Sequence, residues 1–134
     1  MLSDALLHDI ASTVAWALNE DLGQNLAKTT KAQASELDIT AALIPASNEA
    51  VATIINRDDC IICGVAWVNE VFKQLDNALG HNKASQTQVT WFVNDGQMAK
   101  ANTILCEISG NARALLTGER VALNFLQTLS ATAT

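Results

Sequence analysis

Leu6, Leu7, Ile10, Val14 and Leu18 recur at helical spacing and predict a first helix. Ser3 can cap it, and Asp4 stands in its first turn. Glu20-Asp21-Leu22-Gly23 ends it, with Gly23 suited to the left-handed residue that closes a helix. Gln24–Glu36 is polar and irregular and reads as a loop, after which an apolar patch runs to Pro45. The period then shortens. Ala50–Asn56 is rich in β-branched residues and predicts a strand, Asp58-Asp59 a charged tip, and Cys60–Cys63 a returning strand that stops at Gly64. Val65–Leu75 reverts to helical period, with Trp67, Val68, Val71, Phe72 and Leu75 on one face. A second polar loop, Asp76–Gln86, leads to a strand at Gln88–Val93, a turn at Asn94-Asp95-Gly96, and a strand at Thr103–Ile108. The last segment, Asn111–Leu129, is the most apolar. Gly118 interrupts it at a cost near 1 kcal/mol in a helix interior, which predicts a short helix, a break, and a longer helix capped by Thr117. Helix, strands, helix, strands, helix with hairpin-like connections is the order of an α+β domain with a small, mostly antiparallel sheet and packed helices.

The polar residues of the last segment sharpen this picture. Thr117, Arg120, Asn124 and Gln127 are spaced by three, four and three, which aligns them on one helix face, while the remaining surface is mostly apolar. An Arg on such a helix requires an anionic partner, because an unpaired buried guanidinium is costly. Glu119 is adjacent in sequence, and adjacent residues do not face each other on a helix. The partner must therefore come from another segment, another subunit, or a ligand carboxylate or phosphate.

Composition narrows the classes. The 134 residues form one domain by size, and 49% are hydrophobic, enough for a core. Eight Lys and Arg against fourteen Asp and Glu give a net charge of −6, which argues against nucleic acid as a partner. No stretch approaches the roughly 18 unbroken apolar residues of a membrane span. The first residues carry acids where a secretory leader carries Lys or Arg, so the expected location is the cytoplasm. Cys60, Cys63 and Cys106 are too few and odd in number for a disulfide framework. Cys60-Ile61-Ile62-Cys63 has the spacing of half a zinc site or a redox pair, but no second such pair follows, so two small apolar strand residues account for it better. No metal site is expected in this chain.

Longer motifs carry a resemblance. Arg113-Ala114-Leu115-Leu116-Thr117-Gly118-Glu119-Arg120-Val121-Ala122-Leu123-Asn124-Phe125-Leu126-Gln127-Thr128-Leu129-Ser130 is similar to a segment of the quinolinate phosphoribosyltransferase family, also called nicotinate-nucleotide pyrophosphorylase (carboxylating). Ala17-Leu18-Asn19-Glu20-Asp21-Leu22-Gly23 resembles the end of that family's first helix, and Asp38-Ile39-Thr40-Ala41-Ala42-Leu43-Ile44-Pro45 its next motif. Gly64, Trp67 and the Asp95-Gly96 turn fall in matching order. Two departures stand out: Ser130-Ala131 replaces an expected Ser-Gly, and family members continue into an α/β barrel that this chain lacks.

The resemblance implies the N-terminal domain of a type II phosphoribosyltransferase, residues 1–134, cut within the helix that leads to the missing barrel. It implies conversion of quinolinate and phosphoribosyl pyrophosphate, with Mg²⁺, to nicotinate mononucleotide, pyrophosphate and CO₂ in NAD biosynthesis. It implies a homodimer in which this domain closes over the neighbouring subunit's barrel, with Arg120 reaching a quinolinate carboxylate there. Arg113, seven residues earlier, is the second candidate contact, or else a structural ion-pair former. No catalytic residue and no cofactor are expected in this chain, and the isolated chain is expected to be inactive. Two rivals come from other classes. Asn94–Ile108 has the outline of a biotinyl or lipoyl carrier hairpin, with Lys100 as the modified residue in an unsuitable frame. A stand-alone interaction domain would use the final helix as its contact. Relatives with this architecture that act on other pyridine or base substrates also fit.

Overall fold

The computed structural model describes residues 2–22, 48–80 and 86–134. The predicted Gly23 terminator, the loop after it, the Asp38–Pro45 motif and residues 81–85 of the second polar loop lie outside the described residues.

Helix α1 spans Asp4–Leu22, and the Ser3 hydroxyl accepts the Leu6 N–H at its start. Strand β1 is Glu49–Ile55 and β2 is Cys60–Ile61. Helix α2 runs Val65–Leu79, so Asp76–Leu79, expected to open the second polar loop, are helical, and the helix closes at Gly80 with φ 73°. Strands β3 (Gln88–Trp91), β4 (Met98–Ala99) and β5 (Ile104–Asn111) follow. Helix α3 runs Ala112–Ala133. This is the α+β architecture expected, and no α/β barrel is present among the described residues.

The main sheet is antiparallel in the order β1-β5-β3, with β5 central. Alternation along β1 sends Ala50, Ala52 and Ile54 inward, and Val51, Thr53 and Ile55 to the exposed face. The register with β5 is regular from Glu49↔Asn111 to Ile54↔Cys106 and then slips, pairing Ile55 with Ile104. That bulge buries two consecutive β5 residues, Leu105 and Cys106. Helices cover the inner face. Val14 and Leu18 of α1, Val68, Val71, Phe72 and Leu75 of α2, and Leu115, Ala122 and Leu126 of α3 meet Ile54, Leu105 and Ile108 in one core.

Two further expectations fail here. Residues 50–63 do not form a hairpin: β2 leaves β1 and pairs with β4, Cys60↔Ala99 and Ile61↔Met98. Asn56 causes the separation. Its amide donates to the carbonyls of Asp58, Ala99 and Lys100, and its Oδ1 accepts the Thr103 N–H. Asp59 Oδ1 accepts the Ala101 N–H. The acid pair thus belongs to a turn stitched to residues 99–103, not to a hairpin tip.

The second failure concerns Gly118. Helix α3 is continuous, and its cap is Asn111, whose Oδ1 accepts the N–H groups of Arg113 and Ala114 at 3.0 and 3.3 Å. Thr117 is buried mid-helix. Gly118 is helical because α2 lies directly against it: a Cβ there would stand 2.6 Å from Phe72 Cε1 and 2.8 Å from Leu75 Cδ1. The helix accepts the propensity cost of glycine to gain that close approach.

The start of α2 shows a third device. Gly64 precedes it at φ 123°, and Asp95 Oδ1 accepts the N–H groups of Gly64 and Val65 at 2.9 and 3.2 Å. A carboxylate distant in sequence thereby caps this helix.

The described cysteines are free thiols. Burial pushes Cys106 up to about 11 from 9.0, against a lowering hydrogen bond with the Ile54 backbone. Burial, with a smaller contribution from the Asp95 charge, raises Cys63. Neither shift favours the thiolate that redox chemistry or metal binding requires. A raised folded-state thiol value gives stability that is complete below the unfolded value and is lost as pH climbs through the folded one. Urea unfolding should therefore show wild-type stability falling by about 1–3 kcal/mol, relative to Cys106→Val, as pH rises from 9 to 11. Parallel profiles for the two proteins would show that Cys106 does not titrate this way.

Candidate functional site

The last turn of α1 and the middle of α3 frame an open groove of about 770 Å³. Leu18 and Val14 anchor α1 beneath it, both fully buried, while Val121 and Ala122 anchor α3. Ala17, Glu20 and Asp21 line one wall, and Arg120, Asn124 and Gln127 line the other. Arg120, Asn124 and Gln127 therefore share one face as expected, but Thr117, expected beside them, is buried in the core instead.

Arg120 makes a side-on fork with Asp21. Its Nη2 donates to Asp21 Oδ2 at 2.7 Å and its Nε to Oδ1 at 3.3 Å. The side chains are 49% and 27% exposed. The anionic partner that the sequence demanded is thus supplied, in this chain, by another segment. The premise of an oily setting is corrected as well: the guanidinium lies at the rim, and water lowers the worth of the pair toward the ~0.2–1 kcal/mol of exposed bridges. Its location still suits recognition. The fork presents a planar cation at the edge of a groove that also offers two amide side chains.

Arg113 occupies the first turn of α3, two turns from Arg120, and is partly buried. It does not line the groove. The structure therefore brings Arg120, Asn124 and Gln127 together and leaves Arg113 apart.

Sequence reasoning missed Asp21. Its position in the ALNEDLG segment was noticed, but nothing in spacing could pair it with a residue 99 positions away. Ser130 was also undervalued. Its hydroxyl accepts the Cys63 N–H at 3.0 Å and donates to the Cys63 carbonyl at 3.2 Å, while Thr134 Oγ1 accepts the Ile61 N–H. The C-terminal turn of α3 thus satisfies the backbone beside β2. A second cleft of about 520 Å³ lies on that side, lined by apolar residues such as Ile54, Leu105 and Leu126 and by polar ones that include Arg57, Asp58 and Asp59.

Comparison with known proteins gives these features a context. The family model described as the quinolinate phosphoribosyl transferase N-terminal domain matches residues 38–130. The chain belongs to this family. A mitochondrial quinolinate phosphoribosyltransferase (decarboxylating) 2a of Nicotiana tabacum is 32% identical over 127 residues, covering 95% of this chain and 31% of that protein. A probable nicotinate-nucleotide pyrophosphorylase (carboxylating) of Bacillus subtilis is 34% identical over 97 residues, covering 72% of this chain and 31% of that protein. Among solved structures, the nicotinate-nucleotide pyrophosphorylase from Francisella tularensis superposes with a TM-score of 0.68 at 36% identity, covering 89% of this chain and 36% of that one. The chain therefore spans about a third of the length of these quinolinate phosphoribosyltransferase relatives. The matched region includes α2, the whole sheet and the groove-forming part of α3. It also passes through Lys100, on an exposed turn after the two-residue β4, where a carrier module would need a long hairpin. Among the described residues no helix is long and apolar enough to cross a membrane, and no group of three or more His, Cys, Asp and Glu could hold a metal ion.

Proposed function

We propose that this chain is the substrate-capping, N-terminal domain of a quinolinate phosphoribosyltransferase. In that reading, quinolinate and phosphoribosyl pyrophosphate give nicotinate mononucleotide, pyrophosphate and CO₂ in NAD biosynthesis, in the cytoplasm. The observation that carries it is the placement of Arg120: a forked cation at the rim of a groove, on the segment that most resembles the family.

The domain closes over the barrel of a neighbouring subunit in a homodimer, and Arg120 receives one carboxylate of quinolinate bound there. Arg113 is the secondary contact. Charge supports this division of labour. Arg120 shares its groove with Glu20 and Asp21, so these three groups sum to one negative charge. A dianion needs more positive charge than that, and the barrel supplies it. Val51, Ile55, Phe92 and Ile104 are 66%, 50%, 58% and 45% exposed, apolar area that suits packing across subunits. Among the described residues no group of three or more His, Cys, Asp and Glu could hold Mg²⁺ by itself. The barrel side holds the ion, which there would organise the pyrophosphate that leaves.

The isolated 134-residue chain is expected to show no turnover with both substrates and Mg²⁺, and to contribute activity only when joined to a barrel. Release of radiolabelled CO₂ from carboxyl-labelled quinolinate measures this. Turnover by the purified chain alone contradicts the proposal, as does full activity of the barrel without this domain.

A further inference from the structure

We propose that Asp21 is a positioning residue for substrate recognition, fixing the plane of the Arg120 guanidinium. The inference rests on the reading of Arg120 as a quinolinate contact, and concerns what sets that contact's geometry.

The fork is made on the Nε–Nη2 edge, with both carboxylate oxygens engaged. Two contacts in one plane fix the orientation of the whole guanidinium, which a single contact would not. Both backbones are held. Asp21 follows the buried Leu18 by three residues on α1, and Arg120 immediately precedes the buried Val121 on α3. A long Arg side chain at a half-exposed position otherwise samples many rotamers, and ordering it would oppose binding. With Asp21 in place, part of that ordering is done before the ligand arrives. A ligand carboxylate is then received on the Nη1–Nη2 edge, in exchange for whatever polar contact that edge makes beforehand.

The negative charge of Asp21 works in the opposite direction, since it repels a dianion. An alternative role follows: Asp21 could act as an internal substitute for the substrate carboxylate and compete with it. Geometry favours positioning. A competitor would occupy the end-on edge that a ligand uses, and Asp21 takes the side-on edge.

The two roles give opposite signs. In the protein carrying this domain with its barrel, Asp21→Ala should raise the KM for quinolinate by about 3- to 5-fold and leave that for phosphoribosyl pyrophosphate within about 1.5-fold. Asp21→Asn, which keeps one oxygen acceptor, should recover part of the loss. In an Arg120→Ala background, Asp21→Ala should add nothing, because the effect passes through Arg120. A fall in the quinolinate KM of Asp21→Ala would establish competition and overturn positioning. An additional loss in the Arg120→Ala background, or equal rises in both KM values with a lowered Tm, would reduce Asp21 to a staple between α1 and α3. If Arg120→Ala raises the quinolinate KM and Asp21→Ala does not, only this inference fails. If Arg120→Ala itself has no effect, the substrate assignment fails and this inference falls with it.

Discussion

Arg120→Ala, in the protein that carries this domain together with its barrel, should weaken quinolinate binding by about 2–5 kcal/mol, roughly 30-fold to several thousand-fold. The KM for phosphoribosyl pyrophosphate should change far less. The size follows from what happens on closure. In the open domain the Arg120 side chain is 49% exposed and its pair with Asp21 is screened by water. When a second surface covers the groove, the same cation is desolvated against a carboxylate, and each hydrogen bond becomes worth more. Truncation then leaves the ligand carboxylate buried without its partner, which accounts for much of the loss. Arg120→Lys should recover little, because an ammonium cannot hold Asp21 and a ligand in one plane. Equal losses for both substrates would count against a specific quinolinate contact.

Gly118 offers the largest expected effect on stability, and its sign is diagnostic. Propensity alone predicts that Gly118→Ala in a helix stabilises by about 1 kcal/mol. The packing predicts the reverse. A Cβ 2.6 Å from Phe72 Cε1 and 2.8 Å from Leu75 Cδ1 lies well inside carbon contact distance. Phe72 and Leu75 are each 2% exposed, so both would have to shift within the core to admit it. Overpacking of this kind costs about 1–3 kcal/mol, so Gly118→Ala should be destabilising on balance and Gly118→Val more so, by about 3 kcal/mol or more. Phe72→Leu should relieve part of that loss, giving a favourable coupling between the two positions in a double-mutant cycle. Urea midpoints decide it. A stabilised Gly118→Ala would mean that α2 and α3 do not approach as closely as described.

The elements were legible where one chemical rule governed them. Apolar residues at helical spacing placed α1 and α2, and β-branched runs placed β1 and β5, because these segments each bury a single face. The domain class and the polar face of α3 followed from the same periodicity. What was not legible depended on residues far apart in the chain. Gly118 read as a helix break, since local propensity cannot show that Phe72 will press against it. The 50–63 segment read as a hairpin, since nothing local shows that Asn56 will bond to residues 99–103 and turn β2 toward β4. The same limit governed the site. The sequence demanded an anion for Arg120 and could not select Asp21, which reaches it from the end of α1. Family resemblance, not periodicity, singled out Arg120 as the contact.

The central claim is that Arg120 receives one carboxylate of quinolinate. The most direct measurement is a ligand-truncation cycle: dissociation constants of quinolinate and of its two pyridine monocarboxylate analogues, for wild type and Arg120→Ala. Wild type should prefer quinolinate strongly over the analogue lacking the carboxylate that Arg120 meets. Arg120→Ala should lose that preference while retaining the preference over the other analogue. Undiminished discrimination in Arg120→Ala against both analogues would show that neither carboxylate of the ligand meets this side chain, and would contradict the account.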